Sequence, residues 1–243
     1  MKILEHECLS PEEHLAVDEA ALILAETSGL GETVRLWSSD TYFVVIGRAG
    51  RVGRECHERR ARTDAVPVLR RMSGGGTVLQ GPGSLNYSLV LSYATHHHYR
   101  GIRTSYEKIL GSILRALNRL IAASEVRILP LSDLALGDRK ISGNAQARKK
   151  SFFLHHGTIL FGMDIEKVDR YIKHPPSEPV YRKKRPHGDF ITNIPLKRTC
   201  LESAVLQAFP GDEGKRLFTK EEKRLIDKLV QEKYSAESWN LQF

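Results

Sequence analysis

The chain has 243 residues, a hydrophobic fraction of 41% and a formal net charge of +8 at pH 7. This length is enough for one domain with a substantial core, and the charge favours an anionic partner such as a nucleotide, a nucleic acid or an acidic protein. No apolar run approaches the roughly 20 residues of a membrane span. Glu5 and Glu7 occupy the place of the apolar stretch in a signal peptide, so we expect a cytoplasmic protein without a membrane segment.

The cysteines exclude two further classes of protein. Cys8, Cys56 and Cys200 are far apart and odd in number, and the sequence contains no Cys-x-x-Cys pair. A disulfide-stabilised scaffold and a structural zinc site both need such pairs or clusters. We therefore expect three reduced thiols.

Patterns typical of helices and of strands mix along the chain, which predicts an α/β (α+β) fold. The first helix has the clearest start, with Ser10 as N-cap, Pro11 at the first helical position and Glu13 completing a capping box. A second helix is predicted to begin at Thr104, with Glu107 in its capping box. Its apolar stripe has the helical period and consists of Ile109, Leu110, Ile113, Leu114, Leu117 and Ile121. Strands are predicted at 33–37, 42–46, 66–72, 85–91, 126–129, 134–136 and 152–161, and further helices at 164–173, 200–209 and 219–234. The last of these helices has Thr219 and Glu222 as a capping box.

A run of three glycines after a strand is the strongest chemical signal. Residues 70–77 read Arg-Arg-Met-Ser-Gly-Gly-Gly-Thr. Glycines let the backbone approach a ligand closely and adopt positive φ, so that consecutive N–H groups converge on an anion. A neighbouring arginine can clamp a phosphate or a carboxylate. The same spacing is typical of a tight turn, so the residues alone leave phosphate binding and a plain turn about equal.

Two other segments carry side chains that are suited to binding or catalysis. Residues 137–146 read Gly-Asp-Arg-Lys-Ile-Ser-Gly-Asn-Ala-Gln, and Lys140 can present its ammonium to a phosphate or to an acyl-phosphate. Its alternative is an ordinary solvated lysine beside a turn. His155 and His156 are neighbours in an apolar strand, so at most one of them faces a given pocket. The alternative for each is a core or surface histidine.

Taken in order, segments 70–78, 137–146 and 155–160 resemble the catalytic core of lipoate–protein ligases, whose wider family includes biotin ligases and octanoyl- or lipoyl-transferases. The resemblance also takes in residues 15–19, 44–48 and 234–239. It implies an α/β fold with a mixed sheet flanked by helices, of the biotin-synthetase and class II aminoacyl-tRNA-synthetase type. It also implies a single catalytic domain over residues 1–243 with a short C-terminal helical tail.

The resemblance implies an activity as well. Lipoate would be activated with ATP and Mg²⁺ to lipoyl-AMP and then passed to a lysine of a carrier, an acidic lipoyl domain or an H-protein-like protein. Lys140 would contact the lipoate carboxylate and the α-phosphate, Arg71 would bind nucleotide phosphate, and Asn86 would lie near magnesium or phosphate. Backbone contacts to the nucleotide would come from Gly76, Thr77, Val78 and Leu79. The other expected binding residues are Ser73, Gly74, Gly75, Gly143, His156, Gly157 and Thr158, and no metal ligand is assigned.

Two departures from the ligase pattern leave alternatives open. Many ligases have His-Asp after the glycines, whereas residues 80–83 read Gln-Gly-Pro-Gly, as in the octanoyltransferase branch. Many bacterial ligases also have an extra C-terminal domain of about a hundred residues. Little chain follows Phe190, so an accessory function is expected in a separate protein or in the short tail.

The main alternative is a transferase that forms an acyl-cysteine intermediate without ATP. Residues 128–133, just before the lysine segment, contain no cysteine, and Cys200 comes later than the transferase pattern places its nucleophile. Lys197 and Arg198 are close to Cys200 in sequence, and cations favour a thiolate, so this cysteine stays a candidate. The ligase is the favoured reading.

The other alternative is a nucleic-acid-binding protein, suggested by the basic run at 181–187. No helix-turn-helix or RNA-binding pattern accompanies this run. We prefer a surface that docks an acidic carrier, with a solvated loop as the simplest reading. The three histidines at 96–98 stay unassigned.

Overall fold

The structure is a computed structural model that describes residues 1–121, 126–211 and 214–243. Its strands are β1 Lys2–Glu5, β2 Thr33–Trp37, β3 Phe43–Ile46, β4 Val68–Arg70, β5 Val78–Gln80, β6 Ser84–Ser92, β7 Val126–Leu129, β8 Asp133–Leu136, β9 Arg139–Arg148, β10 Phe152–Leu160 and β11 Lys215–Leu217. Its α-helices are α1 Pro11–Ser28, α2 Val52–Glu55, α3 Glu58–Thr63, α4 Ile102–Asn118, α5 Ile165–Tyr171, α6 His187–Phe190, α7 Arg198–Ala208, α8 Lys220–Leu229 and α9 Glu237–Asn240. Short 3₁₀ turns cover His97–Arg100 and Val180–Arg182, and a π-helical turn covers Val230–Tyr234.

Across the described residues, the strands form two sheets. The larger has the order β11-β1-β2-β6-β10-β9-β8-β7, and the smaller has the order β4-β3-β5. β1 is parallel to β2 and β11, and β3 is parallel to β4, while the other pairs are antiparallel. The predicted mixed sheet flanked by helices is therefore confirmed.

Strand alternation divides the core between the two faces of the larger sheet. Phe153 and Ile159 of β10 pack with α4 and α7, whereas Leu154 between them packs with α1. The predicted apolar stripe of α4 is confirmed, since Ile109 and Ile113 are fully buried. Each such side chain contributes about 1.5–3 kcal/mol to folding.

Two buried acids of α1 fix its position. Asp18 pairs with Arg35 of β2 at 2.6 Å and accepts a hydrogen bond from Ser88. Glu19 accepts bonds from Lys233 and from the Tyr234 hydroxyl. Because Tyr234 ends the π-helical turn, α1 also anchors the C-terminal segment.

The helix caps test the sequence interpretation directly. Ser10 accepts a hydrogen bond from the Glu13 N–H at the start of α1, and the predicted capping box of α8 is present, so both starts are confirmed. The predicted cap at Thr104 is wrong, because α4 begins at Ile102 without a side-chain cap and Glu107 pairs with Arg103 instead.

Some strands were not predicted. β9 is missing from the sequence interpretation because its small and polar residues show no apolar alternation, and β1, β5 and β11 were also missed. None of the helices in the described residues has the length and apolar character needed to cross a membrane.

Candidate active site

A cleft lies between the α1 face of the larger sheet and the smaller sheet. Its empty volume, which includes space open to solvent, is about 750 Å³. Two adjoining cavities share Thr77 and Lys140 with it, so Lys140 lies where the three spaces meet. The apolar part of the cleft is lined by Leu15, Trp37, Val45 and Val78.

The glycine loop, defined as residues 73–77, is stabilised by hydrogen bonds from Arg71. The Arg71 guanidinium donates to the carbonyl oxygens of Gly74 at 2.6 Å and Gly76 at 2.9 Å, and also to the Ser73 hydroxyl. Burial lowers the pKa of Arg71 to about 10, so the group remains charged at neutral pH. Arg71 borders the cleft as expected, and much of its hydrogen-bonding capacity organises the loop.

Arg70, its neighbour, faces away from the cleft and is fully buried. Its backbone N–H donates to the Asn240 side chain, and the Trp239 indole donates to its carbonyl, which closes the open edge of β4. Among the described residues, its side chain donates to six carbonyl oxygens at 2.6–3.2 Å, namely those of Gly47, Arg48, Gly50, Trp239, Asn240 and Gln242. Arg70 is therefore structural.

Two positions must be glycine because neighbouring atoms lie too close for a side chain. Gly75 has a φ of +89°, and a Cβ there would lie 2.9 Å from Arg71 Nη2. A Cβ on Gly47 would overlap the Gly75 carbonyl. Gly76 differs, because no atom lies within 4 Å of the position of its Cβ. The loop thus has one glycine, Gly75, whose conformation and packing exclude a side chain, and one, Gly76, that is open towards the cleft.

The two adjacent histidines lie on opposite faces of β10, as predicted. His156 Nε2 lies 2.6 Å from the Ser73 hydroxyl and borders the cleft. His155 is buried on the α4 side, where its Nδ1 lies 3.0 Å from Gln146 Nε2. Burial lowers the pKa of each histidine to about 3, so both are neutral near pH 7.

Glu55 was missed in the sequence interpretation. One oxygen of this buried carboxylate accepts from the Thr77 hydroxyl at 2.7 Å, and the other accepts from the Arg51 N–H at 2.9 Å. Glu55 of α2 thereby fixes the end of the glycine loop. The contact joins residues 22 positions apart, so no local motif reveals it.

Gln80, the first residue of the Gln-Gly-Pro-Gly stretch, also has a role in the cleft wall. Gln80 accepts a hydrogen bond from Asn86 at 2.9 Å and donates to Thr158 at 2.8 Å. The Thr158 hydroxyl in turn donates to Asn86 at 2.6 Å. Asn86 is thus held within a closed side-chain network rather than projecting freely.

Lys140 forms an ion pair with Asp133. The Nζ–Oδ1 distance is 2.8 Å, and the carboxylate is nearly buried whereas the lysine is partly exposed. The other Asp133 oxygen accepts from the Tyr181 hydroxyl at 2.8 Å. A Cβ on Gly143 would lie 2.8 Å from Lys140 Nζ, so this glycine makes room for the lysine. Asp133 and Tyr181 were not among the predicted residues.

Tyr181 belongs to the basic segment, defined as residues 177–190, which borders the two adjoining cavities. Only part of its charge is exposed. Arg182 is buried, and Arg185 pairs with Asp138 at 3.0 Å. Lys183 and Lys184 are exposed, with φ values of 53° and 60°. Of the four cations at 182–185, only Lys183 and Lys184 are therefore exposed to solvent.

The structure brings most of the expected site residues together. The cleft is lined by Arg71, Gly75, Gly76, Thr77, Val78, Asn86, Lys140, Gly143, His156, Gly157 and Thr158. Leu79 borders an adjoining cavity. Ser73 and Gly74 do not line these spaces: Ser73 is buried behind the loop, and Gly74 is exposed.

The three cysteines lie elsewhere in the part of the chain that the structure describes. Cys8 accepts a hydrogen bond from Arg35, and Cys56 is buried beneath the smaller sheet. Burial raises the pKa of both thiols to about 11. Cys200 lies on α7, across the larger sheet from the cleft.

The cleft itself holds no preformed metal cluster among the described residues. Within the described ranges, the one group of three His, Cys, Asp or Glu side chains that is close enough to share an ion is His6, Cys8 and Glu13. Its members already bond to one another or to Arg35.

Comparison with known families assigns this geometry to a class. The model of the lipoyl protein ligase A/B catalytic domain matches residues 10–200, and the chain belongs to this family. A candidate lipoate-protein ligase A from Aeropyrum pernix is 32% identical over 163 residues, which are 67% of this chain and 58% of that relative. The octanoyltransferase LipM of an Exiguobacterium species is 27% identical, with 98% of this chain and 96% of that protein covered.

Solved structures have the same fold. A bi-partite lipoate protein ligase of Thermoplasma acidophilum, studied with its E2 lipoyl domain, has a TM-score of 0.83 at 24% identity, covering 99% of this chain and 95% of its own. A Thermoplasma acidophilum protein with bound lipoic acid gives 0.79 at 21%, covering 99% and 98%. A lipoate-protein ligase A bound with ATP gives 0.77 at 22%, with the same coverage.

Proposed function

We propose that this chain is an ATP-dependent lipoate–protein ligase, which forms lipoyl-AMP and transfers the lipoyl group to a carrier lysine. The observation that carries the proposal is the set of residues that line the cleft. Lys140 lies where a partly apolar cleft meets two further cavities, and within the described residues no cysteine lines these spaces. An acyl-adenylate needs a cation there, whereas an acyl-enzyme needs a thiolate.

The positions of the lining residues support separate binding places for the acyl chain and the nucleotide of lipoyl-AMP. The acyl chain fits against the apolar lining provided by Leu15, Trp37 and Val45. The nucleotide fits the side that the glycine loop borders. Lys140 is then the cation shared by the carboxylate and the α-phosphate, and its charge stabilises the developing negative charge of adenylation.

Asp133 has a supporting role in this proposal. Held by Lys140 and Tyr181, its carboxylate keeps the Lys140 ammonium at the junction before substrate arrives. Mg²⁺ is proposed to enter with ATP. Protein sites hold this ion largely through substrate phosphates and water, which fits a cleft without a preformed cluster of three ligands in the described chain.

The proposed acceptor is a lysine of a lipoyl domain, because a relative of the same fold was studied with its E2 lipoyl domain. That relative is bi-partite, so a separate accessory protein belongs to the proposal and to the assay.

A cysteine-dependent octanoyltransferase is the second candidate. Similarity to LipM over nearly the whole chain favours it, as does the Gln-Gly-Pro-Gly stretch after the glycine loop. Against it, Cys8 and Cys56 have thiol pKa values raised to about 11, which disfavours the nucleophilic thiolate.

The test replaces Cys8, Cys56 and Cys200 together by serine. A ligase carries the acyl group on AMP, so we expect this variant to lipoylate a recombinant lipoyl domain from free lipoate and ATP at a rate close to wild type. Mass spectrometry of the carrier gives the rate, and circular dichroism checks the fold. A folded but inactive variant, with a wild type that works from an octanoyl-carrier thioester without ATP, would establish the transferase instead.

A further inference from the structure

Arg182 is a buried cation that the proposed reaction has not yet used. It ends the 3₁₀ turn Val180–Arg182 within the basic segment, and only 3% of its surface is exposed. Together with Thr77 and Lys140 it lines both cavities that adjoin the main cleft. It does not line the main cleft itself, where the apolar side chains lie.

Its hydrogen bonds within the described chain are few. Nε donates to the Arg185 carbonyl at 3.0 Å, and the guanidinium lies 4.6 Å above the Phe190 ring. Glu178 comes within 3.4 Å of Nε, which gives charge attraction but exceeds the usual hydrogen-bond length. Nη2 is buried and has no hydrogen-bond partner among the described residues.

Arg70 shows what a structural buried arginine looks like in this protein. It is equally inaccessible, yet both of its Nη atoms donate to backbone carbonyls. A buried donor without a partner costs about 1–3 kcal/mol, and more when the group is charged. Arg182 retains this cost in the free protein, which is expected when a ligand completes the site.

We propose that Arg182 binds a phosphate oxygen of the nucleotide, on the side of Lys140 away from the acyl chain. The inference rests on the proposed function. Lys140 and Thr77 border the same cavities, so a nucleotide whose α-phosphate meets Lys140 extends its phosphates along this wall. Guanidinium groups match phosphate oxygens in geometry and charge, and here the pair forms away from bulk water.

The experiment measures ATP and lipoate affinities by calorimetry for wild type, Arg182→Met, Arg182→Lys and Lys184→Met. Arg182→Met preserves the apolar stem against Phe190 and removes the charge. We expect it to weaken ATP binding about tenfold or more, as for other lost charge-assisted hydrogen bonds, and to leave lipoate binding unchanged. Arg182→Lys should recover part of the ATP affinity. Lys184→Met removes an exposed charge nearby and should bind ATP and lipoate with wild-type affinity.

Thermal unfolding of the free protein separates a ligand-binding role from a structural one. Arg182→Met removes the unpartnered Nη2 but also the attraction to Glu178, so we expect its melting temperature to stay close to wild type. A lower melting temperature with equal losses of ATP and lipoate affinity would make Arg182 structural and overturn the inference. If Arg182→Met fails to fold, Arg182→Lys decides, because wild-type ATP affinity in that folded variant contradicts a geometrically specific contact.

Failure of this inference can be told apart from failure of the proposed function. A wild-type protein that binds lipoate but no ATP would refute the ligase, and the role of Arg182 with it. A wild-type protein that binds ATP with the same affinity as Arg182→Met would refute only the inference.

Discussion

The glycine loop and the basic segment both border the cavities around Lys140, but they differ in how far their polar groups are hydrogen-bonded within the protein. In the loop, Ser73 and Thr77 bond to protein side chains, and Arg71 donates to loop carbonyls. In the basic segment, Arg182 has a buried Nη2 without a partner in the described chain, and the following lysine is exposed in a left-handed conformation.

This difference separates a preformed wall from one that a ligand completes. Preorganised donors and backbone save the reorganisation energy that binding otherwise costs, so the loop suits recognition of an invariant group such as a phosphate. Positive φ at a residue with a side chain stores strain, and the segment has it at Lys183 and Lys184 in succession. We expect the segment to rearrange on binding while the loop stays fixed.

The largest expected effect comes from Lys140, which lies between the two regions. Lys140→Ala removes the cation proposed to be shared by carboxylate and phosphate and leaves Asp133 without its ion-pair partner. We expect lipoate-dependent pyrophosphate release to fall by a factor on the order of a hundred or more, as for other single electrostatic donors. Lys149→Ala, an exposed lysine beyond the far end of β9, is the control. Near-normal pyrophosphate release in Lys140→Ala would remove the assigned role.

The glycine loop offers a sharper test because two neighbouring glycines differ. Gly75→Val places a branched side chain at a φ of +89° and against Arg71, so both stability and ATP affinity should fall. Gly76→Val meets no protein atom within 4 Å of its Cβ, so it should reduce ATP affinity while the melting temperature stays close to wild type.

We expect weaker ATP binding in each glycine variant, measured by calorimetry, because the added side chain occupies space beside the nucleotide. Unchanged affinity in Gly76→Val would mean that the loop is a plain turn at this position. An unchanged melting temperature in Gly75→Val would contradict the tight packing of the loop against Arg71.

The fold could be predicted from sequence where a local pattern determines the structure. α1 and α8 start at side-chain caps, and the apolar stripe of α4 has a helical period. β9 could not be predicted, because its residues 142–146 are Ser-Gly-Asn-Ala-Gln. They are strand residues because β10 pairs with all five of them and β8 pairs with Ser142 and Gly143, and this pairing is not encoded locally.

The site divides in the same way. The glycine loop and Lys140 lie in contiguous motifs, so sequence reasoning found them. Asp133 was missed because the strand after the turn at 137–138 was not recognised, and only the hairpin of β8 and β9 places it beside Lys140. Arg182 was grouped with exposed cations, since a basic run in a sequence does not distinguish a buried arginine from its solvated neighbours.

The two histidines of β10 give the protein a pH-dependent stability that can be measured. His155 and His156 have pKa values lowered to about 3 in the folded protein, against about 6.5 when unfolded. Between these values the unfolded chain binds more protons, so stability is lost as pH falls from about 6.5 towards 3. His155→Phe preserves the ring between Tyr87 and Tyr106 and removes one such proton.

We therefore expect the pH slope of the unfolding free energy in His155→Phe to fall by up to about 1.4 kcal/mol per pH unit below pH 6. Urea unfolding at a series of pH values gives the slope. A slope equal to that of wild type would show that His155 is protonated in the folded state.

The smallest expected effect concerns the exposed tip of the basic segment. Lys183 and Lys184 are its solvent-facing cations, so reversing both to glutamate should slow the encounter with an acidic lipoyl domain. We expect carrier modification at subsaturating carrier to slow by a few-fold at low ionic strength. The difference should shrink as salt shortens the screening length to about 10 Å at 0.1 M. Lys149 and Lys150, an exposed pair beyond the far end of β9, allow the same charge change away from the cleft. If reversing that pair slows the reaction equally, net charge rather than the segment steers the carrier.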